Sequence, residues 1–170
     1  DPEHAYTIEQ MTSDSIQWQR STQTIPTMGM SESAHWFSIV LSGENMLGED
    51  LVLALDTVIL DRVEFYFVDG GTVVRTSVAG DTVPLSQLDY PYRFPIVQLE
   101  INEEGQRTKI IFRAVSSVGV EIPLTLTTVS LLAESQQSVL VFDGALLVMF
   151  LFCFGITVIV FSYTRDPLFL

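Results

Sequence analysis

Between Trp36 and Val129 the apolar positions fall into short runs rich in Val, Ile, Phe, Tyr and Thr, separated by Gly, Asn, Asp, Ser and Pro. Seven such runs cover residues 36–41, 51–56, 63–68, 72–78, 96–101, 107–114 and 122–129. Two of them alternate in polarity, as half-buried strands do. Val63, Phe65 and Phe67 fall on one face with Glu64, Tyr66 and Val68 on the other, and Lys109, Ile111 and Arg113 oppose Ile110, Phe112 and Ala114. Asp69-Gly70-Gly71 predicts a tight hairpin, because consecutive glycines supply the positive φ angles of a two-residue turn. Asn102-Glu103-Glu104-Gly105 reads as a second, four-residue turn. The pattern predicts a mainly β fold, a β-sandwich of seven or eight strands whose core is supplied by Trp36, Phe65, Phe67, Phe112 and Leu124. Residues 1–33 are assigned to an N-terminal segment with the leading strand or strands, and 34–130 to the sandwich.

The pattern changes after residue 143. Gly144 to Tyr163 reads GALLVMFLFCFGITVIVFSY, twenty residues without a charge. About twenty residues at 1.5 Å rise are what a helix needs to cross a hydrocarbon core of roughly 30 Å. The segment predicts a transmembrane helix. The alternatives are a buried core helix, although uncharged runs of this length are rare in soluble cores, and a signal peptide, which the C-terminal position argues against. Residues 131–143 form a junction with no Gly or Pro, and its helix is expected to lead into the membrane; 164–170 begin a cytoplasmic turn.

Charge adds orientation and exclusions. The chain has 170 residues, 8 Lys+Arg and 21 Asp+Glu, for a net charge of −13. That balance repels nucleic acid at long range. Arg165 is the only basic residue close to the apolar run, so the acidic domain is expected outside and Arg165 inside. The start at Asp1-Pro2-Glu3 reads as a mature end or a trimmed one, and the apolar stop at Leu170 as the first part of a longer membrane protein. A single Cys153 and two distant histidines, His4 and His35, exclude a Cys₂His₂ zinc site by count. No phosphate-loop, dinucleotide, nucleophile-elbow or HExxH pattern occurs. No catalytic residue, metal or cofactor is assigned. Calcium has only Asp56 with Asp61, or Glu103 with Glu104, and the D-x-D-x-D-G loop spacing is absent.

Binding chemistry concentrates in Asp89-Tyr90-Pro91-Tyr92-Arg93, where a carboxylate, two phenols and a guanidinium share one Pro-stiffened loop. Aromatic rings stack on the apolar face of a sugar while Asp and Arg hydrogen-bond its hydroxyls. In the alternative, Tyr90 and Tyr92 pack over a sandwich edge and Arg93 pairs with a surface carboxylate. Arg113 projects either into a ligand groove or onto Glu64 or Glu100. Asp61 is either a ligand group or a cap for neighbouring amides, and Tyr66 completes the candidate set. Two function classes follow: a sensory module taking a small ligand, or an assembly module whose sheet face holds a second copy or a periplasmic partner protein.

Several segments in order carry a resemblance: Ala34-His35-Trp36-Phe37, Leu60-Asp61-Arg62-Val63-Glu64-Phe65-Tyr66, Ala79-Gly80-Asp81 with Val83-Pro84-Leu85-Ser86-Gln87, Tyr92-Arg93-Phe94, Val115-Ser116-Ser117 and Ile122-Pro123-Leu124-Thr125-Leu126. Their order and spacing over about residues 6–134, and their connection to an apolar helix ending in Arg165-Asp166-Pro167-Leu168, resemble the type 2 extracellular domain of bacterial seven-transmembrane receptors with diverse intracellular signalling modules. Leu88 and Tyr92 depart from the family's pattern around the loop, whereas Arg93 matches it. The resemblance implies a jelly-roll β-sandwich, like a carbohydrate-binding module, that binds a carbohydrate or other small ligand. It also implies a bacterial inner-membrane protein with residues 1–143 in the periplasm. Further membrane helices would lead to a diguanylate cyclase, phosphodiesterase or histidine kinase, so cyclic di-GMP signalling is one expected output.

Overall fold

The computed structural model describes residues 1, 5–13, 15–31, 33–42, 48–101 and 105–164, without the side chains of 136–139 and 164. His4, Asn102 to Glu104 of the second expected turn, the Glu103 and Glu104 calcium pair, and the expected cytoplasmic turn from Arg165 lie outside the described residues.

The chain divides into two units, residues 1–129 and 130–170. The first is built from sheets. Nine strands are present among the described residues: β1 Thr27–Gly29, β2 His35–Ser42, β3 Leu51–Leu55, β4 Arg62–Asp69, β5 Thr72–Ala79, β6 Ile96–Gln98, β7 Arg107–Val115, β8 Val120–Glu121 and β9 Leu124–Thr128. They form a four-stranded sheet in the order β2-β7-β4-β5, a three-stranded sheet β6-β3-β9 and a small pair β1-β8. The pairings are antiparallel. The expected run 122–129 is shortened to Leu124–Thr128: it starts after Pro123, which has no N–H to give to a ladder, and Val129 already belongs to the helix that follows. The expected run 96–101 keeps strand geometry only through Gln98.

Alternation decides which side chains meet. Phe65 and Phe67 of β4, Ile110 and Phe112 of β7, Leu51, Leu53 and Leu55 of β3, and Val97 of β6 belong to one buried cluster, so the two larger sheets share a core. Phe112 lies 5.0 Å from Phe37 and 5.7 Å from Phe65 between ring centroids. Leu124 is partly buried against this cluster. Trp36 corrects the sequence reading. It pairs with Arg113 while its neighbour Phe37 pairs with Phe112, so Phe37 faces the shared core and Trp36 the opposite side of the sheet. There Trp36 packs with Val73, Ile8 and Ile16 around a second cluster of Met11, Val68 and Ile111. Met11 comes from a short helix, α1 Ile8–Thr12, which the sequence pattern did not suggest. Tryptophan suits that position because its indole N–H needs an acceptor, which Asp1 Oδ2 provides at 3.2 Å.

The β4–β5 hairpin turns at Gly70 and Gly71, with φ of 53° and 83°, as a tight turn of this hand requires. Asp69 pairs with Thr72, and Val68 with Val73, but Phe67 then pairs with Arg75. Val74 is therefore an extra residue, a β-bulge, and the residues beyond it change face relative to an unbulged hairpin.

The described residues of the second unit belong to α2, Val129–Thr164, a continuous helix of 36 residues that begins at the last residue of the first unit. Its length and composition suffice to cross a bilayer, and the membrane-capable stretch runs over residues 129–163. The junction expected to be helical is part of it. The whole chain is thus mainly β, with no closed barrel among the described residues, followed by one long apolar helix.

Candidate functional site

The six residues singled out from sequence fall in three places. Asp61 sits in the turn before β4. Its Oδ2 accepts from the Ser117 amide at 2.8 Å, and its backbone oxygen accepts from the Thr82 amide at 3.1 Å and the Thr82 hydroxyl at 2.7 Å. Gly80, at φ 132°, closes on the same turn: a Cβ there would collide with the Asp61 backbone oxygen. Asp61 therefore caps neighbouring amides.

Tyr90, Tyr92 and Arg93 line a crevice of about 50 Å³ with Leu60, Gly80 and Asp81. The Tyr92 ring meets Phe94 edge-on at 4.6 Å. A volume this small holds one or two waters and not a sugar ring.

Tyr66 and Arg113 come together on the outer face of the four-stranded sheet, away from the shared core. Adjacent strands place Glu64 opposite Arg113. Glu64 Oε1 accepts from Arg62 Nε at 2.8 Å, Oε2 accepts from the Tyr66 hydroxyl at 2.9 Å, and Arg113 Nη1 stands 3.6 Å from Oε2. Glu64 and Arg113 side chains are only 18% and 16% exposed. Burial acts to raise the Glu64 pKa, but the hydrogen bonds from Arg62 and Tyr66 and the charges of Arg113 and Arg62 outweigh it and hold the carboxyl below its usual range. Burial, with the hydrogen bond to Glu64, pushes the Tyr66 phenol up to about 12, so it remains a donor. Trp36 stacks beside Tyr66 at 6.0 Å. This cluster satisfies itself.

A cavity of about 670 Å³ lies elsewhere, where the β4–β5 hairpin and the start of β7 meet the chain beyond β6. Phe67, Asp69, Arg75, Glu100, Arg107 and Thr108 are among its lining residues, as is Val74. Arg75 is its organising group. Paired with Phe67, it faces the inside of the sheet, and its guanidinium lies 4.9 Å over the Phe67 ring. It donates to the Gln98 carbonyl at 3.0 Å and meets Glu100 and Asp89 at 3.3 Å each, so it ties the edge strand β5 to β6 and to the 88–95 loop. None of these lining residues was a site candidate from sequence. The sequence carries no signal for them, because an unbulged two-glycine hairpin sets Arg75 opposite Tyr66 on the outer face, and the single extra residue moves it inside.

No group of His, Cys, Asp and Glu among the described residues could hold a metal ion. No curated protein matches the chain. Residues 1–128 match the family described as 7TMR-DISM extracellular 2. That match spans the whole sheet-built region up to the last residue of β9 and stops where the membrane-length helix begins; the chain belongs to the 7TMR-DISM extracellular 2 family, an extracellular sensor domain and not a known catalytic one.

Proposed function

We propose that this chain is the periplasmic ligand-sensing part of a bacterial inner-membrane signalling receptor, with α2 as its first membrane helix. The sensor binds a carbohydrate or another small ligand, and the signal passes through the membrane helices to a cytoplasmic diguanylate cyclase, phosphodiesterase or histidine kinase outside this chain. The observation that carries the reading is the family match ending at residue 128, directly followed in sequence by a helix long and apolar enough to span a bilayer. The strand orders support a jelly-roll arrangement: β2-β7-β4-β5 in one sheet and β6-β3-β9 in the other, with β1 joined to β8, are the connections of two interleaved Greek keys. The continuous α2 supports direct relay, since a helix without a break transmits tilt or rotation that a flexible linker absorbs.

The test is thermal melting of the full chain in detergent micelles with sugars, amino acids, nucleotides and calcium. A ligand at 100 times its dissociation constant adds about 2.7 kcal/mol to stability. A shift with one class of compound supports sensing. No shift with any of them turns the reading to the alternative, an assembly module that holds a second copy or a periplasmic protein.

A further inference from the structure

Resting on the sensing reading, we propose that the ligand enters the cavity between the β4–β5 hairpin and the start of β7, and that this cavity selects an uncharged polyhydroxylated molecule, a mono- or disaccharide, over sugar acids and amino acids. Its volume of about 670 Å³ falls within the roughly 300–1,000 Å³ of small-molecule sites. The crevice beside Tyr90 and Tyr92 is too small, and the Glu64 cluster has its hydrogen-bonding groups engaged with one another.

The cavity wall differs from both. Thr108 pairs with Leu41, which packs against the shared core, so its side chain is on the inner face, and its hydroxyl is buried with no hydrogen-bond partner among the described residues. A buried hydroxyl without a partner is costly, and a ligand group that pairs with it recovers that cost. Arg107, exposed at the cavity edge, forms no ion pair among the described residues. Arg75 spends three N–H donations on Gln98, Glu100 and Asp89, and a guanidinium carries five. The bulge at Val74 aims it there, and bulges are over-represented next to functional sites.

Ligand class follows from the balance of the wall. Among the described lining residues two guanidiniums, Arg75 and Arg107, face two carboxylates, Asp69 and Glu100, so that described lining carries no net charge. A ligand with net charge gains one attraction and meets one repulsion, and the chain's charge of −13 disfavours anions on approach. Hydroxyl groups, each a donor and an acceptor, satisfy both kinds of wall. Val74, 66% exposed, offers an apolar surface to a sugar's C–H face, since Arg75 already covers Phe67.

The experiment measures melting shifts and dissociation constants of the full chain in micelles. The probes are glucose, galactose, maltose and cellobiose, with gluconate, galacturonate and glutamate as charged counterparts. The variants are Thr108→Val, Arg107→Ala and the outer-face Arg62→Ala. The expected result is binding of a neutral sugar, weakened at least tenfold by Thr108→Val and Arg107→Ala and less than twofold by Arg62→Ala. The unliganded Thr108→Val midpoint should hold or rise, which separates lost binding from lost folding. Sugar binding that survives both cavity variants overturns the site and leaves the sensing reading standing. Binding of the acids alone, still dependent on Arg107, overturns the charge-balance argument. No binding of any probe overturns this inference together with the small-ligand reading.

Discussion

Two charged regions of the four-stranded sheet differ in how their charges are spent. On the outer face, Glu64 gathers Arg62, Tyr66 and Arg113, and the little-exposed Glu64 and Arg113 side chains hold one another. At the hairpin end, Arg75 is also held by several partners, but a buried Thr108 hydroxyl and the Arg107 guanidinium beside it have none among the described residues. Both regions look alike in sequence, as charged residues alternating with aromatics. The difference teaches that a polar cluster is available to a ligand only where it has groups left to satisfy. A closed network fixes register and stability, and an open one invites binding.

The largest effect tests the floor that both regions share. Phe112→Ala removes the ring packed on Phe37 and Phe65 and should cost about 3–5 kcal/mol, the range for a large buried aromatic. A melting midpoint within two degrees of the parent would show that the β7 register is wrong by one residue, and the assignment of both faces with it.

A closed network should be sensitive to loss of its centre. Glu64→Gln should cost on the order of 1–3 kcal/mol, because it leaves the little-exposed Arg113 without its carboxylate. The same residue sets a pH dependence. The Glu64 pKa is lowered on folding from 4.5, so its stabilisation is present above that value and is lost as pH falls through the folded-state pKa. Melting followed from pH 7 into the acid range should fall less steeply for Glu64→Gln in that last window, and identical acid limbs would contradict the network.

The open region should respond weakly in the absence of ligand. Arg107→Ala should change stability by less than about 0.5 kcal/mol, as for an exposed side chain with no ion pair among the described residues. Thr108→Val, smaller still, should leave stability unchanged or slightly higher, since it replaces an unpaired buried hydroxyl by a methyl group of similar shape. A clear loss in either variant, read by denaturant unfolding, would mean that the cavity wall is a structural network like the Glu64 cluster.

Much of the architecture was legible. The period-two runs located β3, β4, β5 and β7 to within a residue or two at their ends, and the double glycine located the hairpin, because side-chain alternation and positive φ are local properties. What escaped depended on partners far away in sequence. Trp36 and Phe37 are adjacent aromatics, one for each face, and only pairing with β7 decides that Phe112 receives Phe37. Tyr66 and Arg113 were singled out as ligand candidates; they share the outer face with Glu64, which was one of two carboxylates weighed as a partner of Arg113. The cavity was invisible for a sharper reason: one bulged residue, Val74, turns Arg75 from the outer face to the inner, and nothing in Thr72-Val73-Val74-Arg75 announces it. Asp61 and the 89–93 loop showed the reverse, residues with ligand-like chemistry spent on a turn and a narrow crevice.

The most direct test observes the arginine side chains themselves. Nitrogen-15 spectra of the Nε–Hε groups, recorded on the full chain in micelles, would be followed as the best-binding neutral sugar from the melting series is added. The account predicts that Arg75 and Arg107 shift progressively to saturation while Arg62 and Arg113 stay in place. Movement of Arg62 and Arg113 with Arg75 and Arg107 unmoved would contradict it and place the ligand on the outer face of the sheet.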